Sequence, residues 1–334
     1  MPGVEGARAG PRRPGRHLNR GSRAVGYLFA VAAGATWGTT GSLSTGLYDL
    51  MPWQTIGFWR ILIGVGALAV WGALFRRDLF RVDARGWLLV GLGGGALVAL
   101  FEVAYQFAIG GVGVAGAAAL LYTAPVLVAI LGRLILGEAL TRVRLGLAVV
   151  VIIGVALTVN GRSNVGAEVT RLGLAAGIAG GLLSALSYAF TTLLARYAVP
   201  KYGLTRVLFL ELLGGVTVLL VFLPLWRHPP SPPTSPTAWW GLMALAAGSV
   251  LAANFFFFAA VQRIEAAPTA VAATIEPVVG ALLALALFSQ RLSGLGWFGL
   301  VMVVAGVAGG YLSEAATQPQ NANSTPSRTS RGGP

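Results

Sequence analysis

The sequence contains two similar stretches, YTAPVLVAILGRLILGEAL at residues 122–140 and TIEPVVGALLALALFSQRL at residues 274–292. Each is a long apolar run whose fourth residue is a proline, Pro125 in the first and Pro277 in the second. The shift between the two stretches is 152 residues, a little under half the length of the chain. An internal repeat of this length predicts two halves with the same fold.

The similarity extends outward from these stretches at a shift of about 151–152 residues. The matched positions are Gly64 and Gly215, Gly154 and Gly306, and the tripeptides Thr36-Trp37-Gly38 and Ser187-Tyr188-Ala189. The match is weak residue by residue but keeps its order along the chain. The two halves are therefore predicted to cover residues 24–160 and 171–312.

The composition excludes an ordinary soluble protein. Hydrophobic residues make up 56% of the chain and charged residues 10%, against roughly 25% charged in soluble domains. The sequence has no cysteine, which excludes disulfides and thiolate chemistry, and its two histidines, His17 and His228, lie outside the apolar runs. We therefore expect an integral membrane protein with no metal and no cofactor.

Ten apolar segments have about the ~20 residues that a transmembrane helix needs. They lie at 24–46, 53–75, 86–108, 112–135, 143–160, 171–197, 204–226, 237–261, 266–288 and 294–312. A cleaved signal peptide is an alternative for the first segment, but this segment is longer than a typical signal peptide core and nine more follow it. The polar tails, 1–23 and 313–334, are expected to be disordered and cytoplasmic.

The distribution of arginine predicts the orientation in the membrane. With the N-terminus inside, most of the 24 basic residues fall in inside segments, and the outside loops hold Arg162, Arg171, Arg227 and Arg291. This asymmetry follows the positive-inside rule and predicts that both termini face the cytoplasm, as in a multi-pass protein of the inner membrane. The net charge of +13 is thus a topology signal, and we expect no nucleic acid partner.

Each half contains five predicted spans, an odd number, so the second half must cross the membrane in the opposite sense to the first. The predicted fold is an all-α integral membrane protein with ten transmembrane helices as two inverted five-helix repeats. Inverted repeats of this kind are typical of secondary transporters that work by alternating access.

Polar side chains inside the apolar segments are the candidates for function, because burying them in a bilayer is costly. Glu102, Tyr105 and Gln106 share one helix face, and a desolvated Glu102 could exchange a proton with substrate. The alternative for Glu102 is a purely structural role in hydrogen bonds between helices. The full set of predicted substrate-binding residues is Trp37, Thr40, Glu102, Tyr105, Gln106, Tyr122, Tyr188, Thr191, Asn254, Phe258 and Glu276.

A second set is predicted to be structural or to act in gating. Its members are Arg60, Glu138 and Glu211, as ion pairs, and Pro125 and Pro277, as helix kinks. The carboxylate of Glu276 beside the Pro277 kink is a plausible site or hinge, and the alternative is a kink that only fits the neighbouring helices. The hydroxyls of span six, such as Ser184, have the alternative of bonding back to their own helix.

An ordered set of short motifs resembles the EamA-type members of the drug/metabolite transporter superfamily. The set comprises Trp37-Gly38, Phe58-Trp59-Arg60, Pro125 through Gly137-Glu138, and Glu276-Pro277, and it extends over roughly residues 24–312. The second half departs from the family at Gln290, where such proteins often carry a glutamate. The resemblance implies export or exchange of amino acids, related metabolites or drugs, without an ATPase.

The leading functional prediction is a secondary transporter of a small neutral, zwitterionic or lipophilic solute, with the lipid bilayer and protons as further partners. The oligomeric state is not readable from the sequence. A membrane-embedded enzyme is the rival class, but no catalytic set of histidine, cysteine or paired aspartates lies in a span. A receptor or scaffold is a third class, and the chain lacks a sizeable soluble domain for it.

Overall fold

The computed structural model describes residues 20–136, 142–163, 171–264 and 266–317. These residues form eleven helices and two strands of two residues each. The helices are α1 (Arg20–Leu47), α2 (Trp53–Phe75), α3 (Ala84–Leu121), α4 (Ala124–Leu136), α5 (Arg142–Asn160), α6 (Arg171–Tyr202), α7 (Leu204–Leu225), α8 (Pro236–Val261), α9 (Ala266–Ala273), α10 (Glu276–Phe288) and α11 (Gly294–Thr317). A short 3-10 turn, Arg77–Phe80, precedes α3, and strand β1 (Arg162–Ser163) pairs antiparallel with β2 (Arg291–Leu292).

Among the described residues, six helices are long and apolar enough to cross a membrane. They are Trp53–Phe75, Ala84–Leu121, Gly173–Tyr202, Leu204–Leu225, Pro236–Val261 and Thr269–Phe288. Three shorter apolar helices accompany them, Ala124–Ile135, Leu145–Asn160 and Gly294–Gly310. The chain is therefore a largely helical, multi-pass membrane protein, as its composition predicted.

Two segments that the apolar pattern predicts as continuous helices are interrupted. The helix break at 122–123 separates α3 from α4, and the break at 274–275 separates α9 from α10. In the first, Thr123 Oγ1 donates to the carbonyl oxygen of Leu120 at 2.7 Å, and in the second Thr274 Oγ1 donates to that of Val271 at 2.6 Å. Both breaks therefore contain a threonine that bonds back to the preceding helix, as the second residue of the break in the first half and as the first residue in the second half.

The prolines explain where these breaks fall. Pro125 and Pro277 are each the second residue of the helix that follows the break, where a missing N–H costs nothing. They therefore begin new helices, and the prediction that they kink continuous helices was wrong. A further interruption lies at Gly113 inside α3, where φ is 75° and only glycine adopts the conformation easily.

Helices α5 and α11 pack closely through two glycines at matched positions. A Cβ added to Gly154 would lie 2.9 Å from the backbone nitrogen of Val303, and one added to Gly306 would lie 3.3 Å from that of Val151. Under the 152-residue shift Gly154 matches Gly306 and Val151 matches Val303. The shift therefore turns the contact of Gly154 with Val303 into the contact of Gly306 with Val151, and we call such a pair exchanged contacts. Along the contact, residue numbers rise in α5 as they fall in α11, so the two helices run antiparallel.

A second matched pair of contacts joins the two halves around α2 and α7. A Cβ on Gly64 of α2 would lie 2.6 Å from Val250 Cγ1, and a Cβ on Gly215 of α7 would lie 2.9 Å from Val98 Cγ1. Val98 and Val250 are again 152 residues apart. Both halves therefore contact each other through equivalent surfaces, and the polar residues described next lie along this seam.

Candidate functional site

The centre of the candidate site is an ion pair between two buried side chains. The guanidinium of Arg60 on α2 donates to the carboxylate of Glu102 on α3, and the two residues are 8% and 4% exposed. Gly57 lies against Glu102, since a Cβ there would fall 2.8 Å from Oε2. From the sequence, Arg60 was predicted to form a structural or gating ion pair and Glu102 to bind substrate, and the structure joins the two side chains.

Ser249 of α8 connects this ion pair to the other half. Arg60 donates to its Oγ at 3.3 Å, and the indole nitrogen of Trp37 donates to its carbonyl oxygen at 3.1 Å. Ser249 lies in a π-helical stretch, Ala246–Ala252, and its hydroxyl donates to the carbonyl oxygen of Leu245 at 2.7 Å. π-Helical turns inside α-helices are frequent at functional sites, because they disturb the regular backbone bonding.

A matched bond lies on the other side of the seam. Ser187 on α6 donates from its hydroxyl to the carbonyl oxygen of Leu97 on α3 at 2.5 Å. Leu97 corresponds to Ser249 under the 152-residue shift, and Ser187 is adjacent to Tyr188, the equivalent of Trp37. The helix α3 also contains a π-helical stretch, Trp87–Gly94, just before this point.

A second polar group lies where α3 and α10 meet. The hydroxyl of Tyr122 donates to Glu276 Oε2 at 3.0 Å, across the two matched helix breaks. The helices that contribute these residues both begin or end at a break, so the carboxylate lies beside irregular backbone. The hydrogen bond shows that Glu276 has a partner from the other half, and its role in a site or a hinge stays a prediction.

Gln106 and Tyr105 lie in the same region of α3. The hydroxyl of Tyr48 donates to Gln106 Oε1 at 2.9 Å, and the Gln106 side chain reaches Ser44 Oγ at 3.5 Å. Tyr105 is buried, and its ring stacks on that of Phe101 with 5.5 Å between centroids.

The other predicted site residues make ring contacts or hydrogen bonds within their own helices, or are known by their exposure alone. Tyr188 is half exposed, with its ring 6.4 Å from that of Phe101. Asn254 donates to the carbonyl oxygen of Val250 on its own helix at 2.8 Å, and Ser184 likewise bonds within its own helix. Thr40 is buried, Thr191 is partly buried, and Phe258 packs on Phe257 with 6.4 Å between ring centroids.

The remaining gating candidates differ in what the structure describes of them. Glu211 of α7 lies outside this cluster and does not pair with Arg60, and Glu138 lies outside the described residues. Gln290, the departure from the family pattern, accepts a hydrogen bond from the backbone nitrogen of Val114 at 3.2 Å. It thereby satisfies the N–H that directly follows the break at Gly113.

Sequence reasoning missed Ser249 and Tyr48. Ser249 is one small polar residue in an apolar helix, and its partner Arg60 is 189 residues away. Tyr48 lies just beyond the end of α1, which made it a loop residue in the hydropathy pattern. Ser249 is identified as a site residue only by its contacts with Trp37 and Arg60 in the fold, and nothing in the sequence indicates these contacts.

A surface ion-pair network connects the loop before α3 to the end of α6. The Asp83 carboxylate accepts from the hydroxyl of Tyr202 at 2.8 Å, from the backbone nitrogen of Gly86 at 2.9 Å and from Lys201 Nζ at 3.1 Å. These bonds, led by that from Tyr202, lower the pKa of Asp83 to about 2. The network joins the first half to the second on the face that carries the arginine-rich loops.

Asp78 forms a neighbouring bridge on the same face. Its carboxylate accepts from Arg76 at 3.0 Å and from Arg206 at 3.4 Å, and Arg206 also donates to the Asp78 carbonyl oxygen at 2.6 Å. Together with Trp71 and Leu79, these residues line a cavity of about 90 Å³. The hydrogen bond from Arg76 lowers the pKa of Asp78 as well.

Comparison with known proteins places this architecture in a family. The model of the EamA-like transporter family matches the chain twice, over residues 24–160 and 175–311. No curated protein sequence matches the chain. Among the 23 solved chains that match, one crystal structure of a protein superposes with a TM-score of 0.63 at 19% identity, over 89% of this chain and all of that one. At this identity the likeness supports the fold alone.

The two family matches lie on the two halves seen in the structure, and the chain therefore belongs to the EamA-like transporter family and is a multi-pass membrane transporter of small solutes.

Proposed function

We propose that this protein is a secondary transporter that exports or exchanges small metabolites, such as amino acids or drugs, across the inner membrane by alternating access. The proposal includes ten transmembrane helices in two inverted repeats. Helix α3 is divided at Gly113, its second part and α4 count as one span, and α9 and α10 count as one span. The observation that carries it is the Arg60–Glu102 ion pair, which is buried at the seam between the halves and bonded to Ser249 of the other half.

The helix contacts support an inverted relation between the halves. Helices α5 and α11 are equivalent under the 152-residue shift, yet they run antiparallel where Gly154 and Gly306 make their exchanged contacts. Two equivalent helices can run antiparallel through such a contact only if the axis that relates them is perpendicular to both. For helices that cross a membrane, this axis lies in the membrane plane, as in transporters that use inverted repeats.

The orientation is proposed from the ion pairs between loops. The Asp83–Lys201 and Asp78–Arg206 pairs bring the arginine-rich loop before α3 to the loop between α6 and α7. Both loops therefore lie on one face of the protein, and the positive-inside rule assigns that face to the cytoplasm. The same assignment gives both termini to the cytoplasmic side.

The chemistry of the site supports a small zwitterionic or neutral solute. Arg60 supplies one cation and Glu102 one carboxylate, which complement the carboxylate and ammonium groups of an amino acid. Trp37, Phe257 and Tyr105 provide aromatic surface around them, with the Trp37 and Phe257 rings 5.5 Å apart. A polyanion is disfavoured, because the described helices bring no cluster of cations to the site.

The ion pair also constrains the coupling mechanism. A proton that bound Glu102 would break its bond with Arg60 and leave the guanidinium buried without a counter-ion. A substrate that binds both side chains would replace each partner at once. We therefore propose that Glu102 and Arg60 bind the solute together, and that Glu102 stays ionised while it is bonded to Arg60.

Flux measurements on the purified protein in liposomes test this function. We expect uptake or counterflow of at least one solute from a panel of labelled neutral amino acids and cationic drugs, and loss of that flux in Glu102→Gln. Asp49→Asn, the same change of carboxylate to amide on an exposed turn, is the control and should transport normally. Turnover of lipid or peptide without solute flux would refute the transporter assignment for this chain.

A further inference from the structure

Glu211 is a buried carboxylate that the proposed substrate site does not use. It lies on α7 and is 7% exposed, and its Oε1 has no hydrogen-bond partner among the described residues. It is seven residues from Leu204, where α7 begins, and so about 10 Å along the helix from the arginine-rich face. Under the 151-residue shift it takes the position of Arg60 in the second half.

The surroundings of Glu211 come from both halves. A Cβ on Gly94 in the π-helical stretch of α3 would lie 2.9 Å from Glu211 Cγ and 3.3 Å from its Oε1, and 3.1 Å from Leu194 Cδ2 on α6. One turn further along α7, Gly214 lies against the backbone of Gly91. The carboxylate is therefore enclosed by close backbone packing between α7 and α3.

No charge in the described residues compensates this carboxylate. Arg60 on α2 is bonded to Glu102, Arg206 on α7 is bonded to Asp78, and Lys201 at the end of α6 is bonded to Asp83. Arg196 of α6 is not without a partner, and the guanidinium of Arg85 at the start of α3 lies over the Tyr197 ring, 5.8 Å from its centroid. The carboxyl group of Glu211 is compatible with this buried position in its neutral form, because an ionised carboxylate there would have neither water nor a counter-charge.

We propose that Glu211 binds and releases the coupling proton, neutral when α7 is closed against α3 and ionised when that contact opens to water. Binding is a simple protonation, in which the carboxylate takes one proton from the aqueous phase and later returns it. This inference rests on the proposed secondary transport, and it moves the coupling proton from Glu102, which the sequence favoured, to the unpaired carboxylate at the seam. The close contacts of Gly94 and Gly214 leave no room for water around Glu211 while α7 is closed against α3. An ionised carboxylate would therefore be unsolvated in the closed state, so ionisation of Glu211 favours opening.

Distance measurements by pulsed electron spin resonance test the coupling without any substrate. The chain has no cysteine, so spin labels at Arg81→Cys and Thr205→Cys, both exposed on the arginine-rich face, report the separation of the two halves. In liposomes we expect the distance distribution to shift to longer values as the pH rises. Glu211→Gln should lose this shift and keep the closed distances, whereas Asp49→Asn should retain it.

Infrared spectroscopy of the same samples reads the proton itself. We expect the band of a protonated buried carboxyl group in the wild type, its loss as the pH rises, and its reduction at every pH in Glu211→Gln. Glu211→Asp keeps a titratable group and should restore both the band and the distance shift, which a purely structural role would not predict. An unchanged band in Glu211→Gln, or a distance shift that follows sodium chloride against choline chloride at fixed pH, would overturn the proposal.

The two proposals fail separately. If wild-type liposomes move none of the labelled amino acids or drugs, the proposed function fails, while the spectroscopic results still decide whether Glu211 carries a proton. If the wild type transports but Glu211→Gln shows the same pH dependence of flux, the function stands and the role of Glu211 is rejected.

Discussion

Breaking the buried Arg60–Glu102 ion pair should destabilise the protein far more than breaking an exposed ion pair does. Glu102→Gln leaves the guanidinium of Arg60 buried, with the Ser249 hydroxyl at 3.3 Å as its remaining bond. Removing one partner of a buried ion pair costs about 3–5 kcal/mol, and the bond to Ser249 offsets about 1 kcal/mol. We therefore expect the free energy of unfolding to fall by about 2–4 kcal/mol.

The reverse change and the double change complete the cycle. Arg60→Met leaves Glu102 without its cation, and the expected cost is about 3–5 kcal/mol. Carrying both changes removes both charges, so the double variant should lose only about 1–2 kcal/mol, the cost of one buried amide without its partner. The coupling energy between the two positions should then be at least about 3 kcal/mol.

Reversible unfolding in mixed lipid and detergent micelles, followed by circular dichroism, gives the four free energies. The matched control is the Arg76–Asp78 pair, whose side chains are 61% and 49% exposed. Its cycle should give a coupling energy of less than about 1 kcal/mol. If the coupling energy of Arg60 with Glu102 is no larger than that of Arg76 with Asp78, the claim that the buried ion pair stabilises the contact between the halves is refuted.

Three further predictions follow from local geometry. Gly111→Ala places a methyl group 2.5 Å from the backbone of α6 and should cost about 1–3 kcal/mol in unfolding free energy, whereas Gly110→Ala, with open space around it, should be nearly neutral in the same assay. Trp37→Phe removes one donor at the seam and should cost about 0.5–1.5 kcal/mol, measured in the same way, and an unchanged stability would contradict the bond. Asp83→Asn should weaken the surface ion-pair network at neutral pH. Because the pKa of Asp83 is lowered from 3.8 to about 2, the wild-type contribution is complete above about pH 4 and lost as the pH falls towards 2, and cross-linking between the joined loops should follow that window only in the wild type.

The sequence predicted several helices closely, because their apolar character is a local property. The predicted boundary between the segments 86–108 and 112–135, however, lies inside α3, close to its interruption at Gly113, and not at the end of that helix. The segments 53–75 and 143–160 differ from α2 and α5 by no more than one residue at either end. The breaks at 122–123 and 274–275 were missed, since the residues there are apolar enough to continue a helix and only the following prolines mark them. Hydropathy measures how well a residue fits the bilayer and carries little information on backbone direction.

The candidate site was harder to predict because its bonds join distant helices. The polar stripe of Glu102, Tyr105 and Gln106 was readable from helical spacing, but the pairing of Glu102 with Arg60 depends on how α2 packs against α3. The sequence predicted that Arg60 and Glu211 take part in ion pairs without indicating their partners, and the fold places Arg60 beside Glu102, a carboxylate of its own half. The hydroxyl of Ser249 had no distinguishing signal at all.

The exchanged contacts of Gly64 with Val250 and of Gly215 with Val98 bear on the energy of movement as well as on packing. Two halves that meet through equivalent surfaces would open with equal ease towards either side of the membrane if they were chemically alike. They differ at the matched positions 60 and 211, where one half carries an arginine and the other a glutamate. Among the described residues, only the first half therefore contains the compensated pair. If the two halves move against each other as proposed, the two open states differ in energy, and the charges at positions 60 and 211 contribute to the side that the protein prefers at rest.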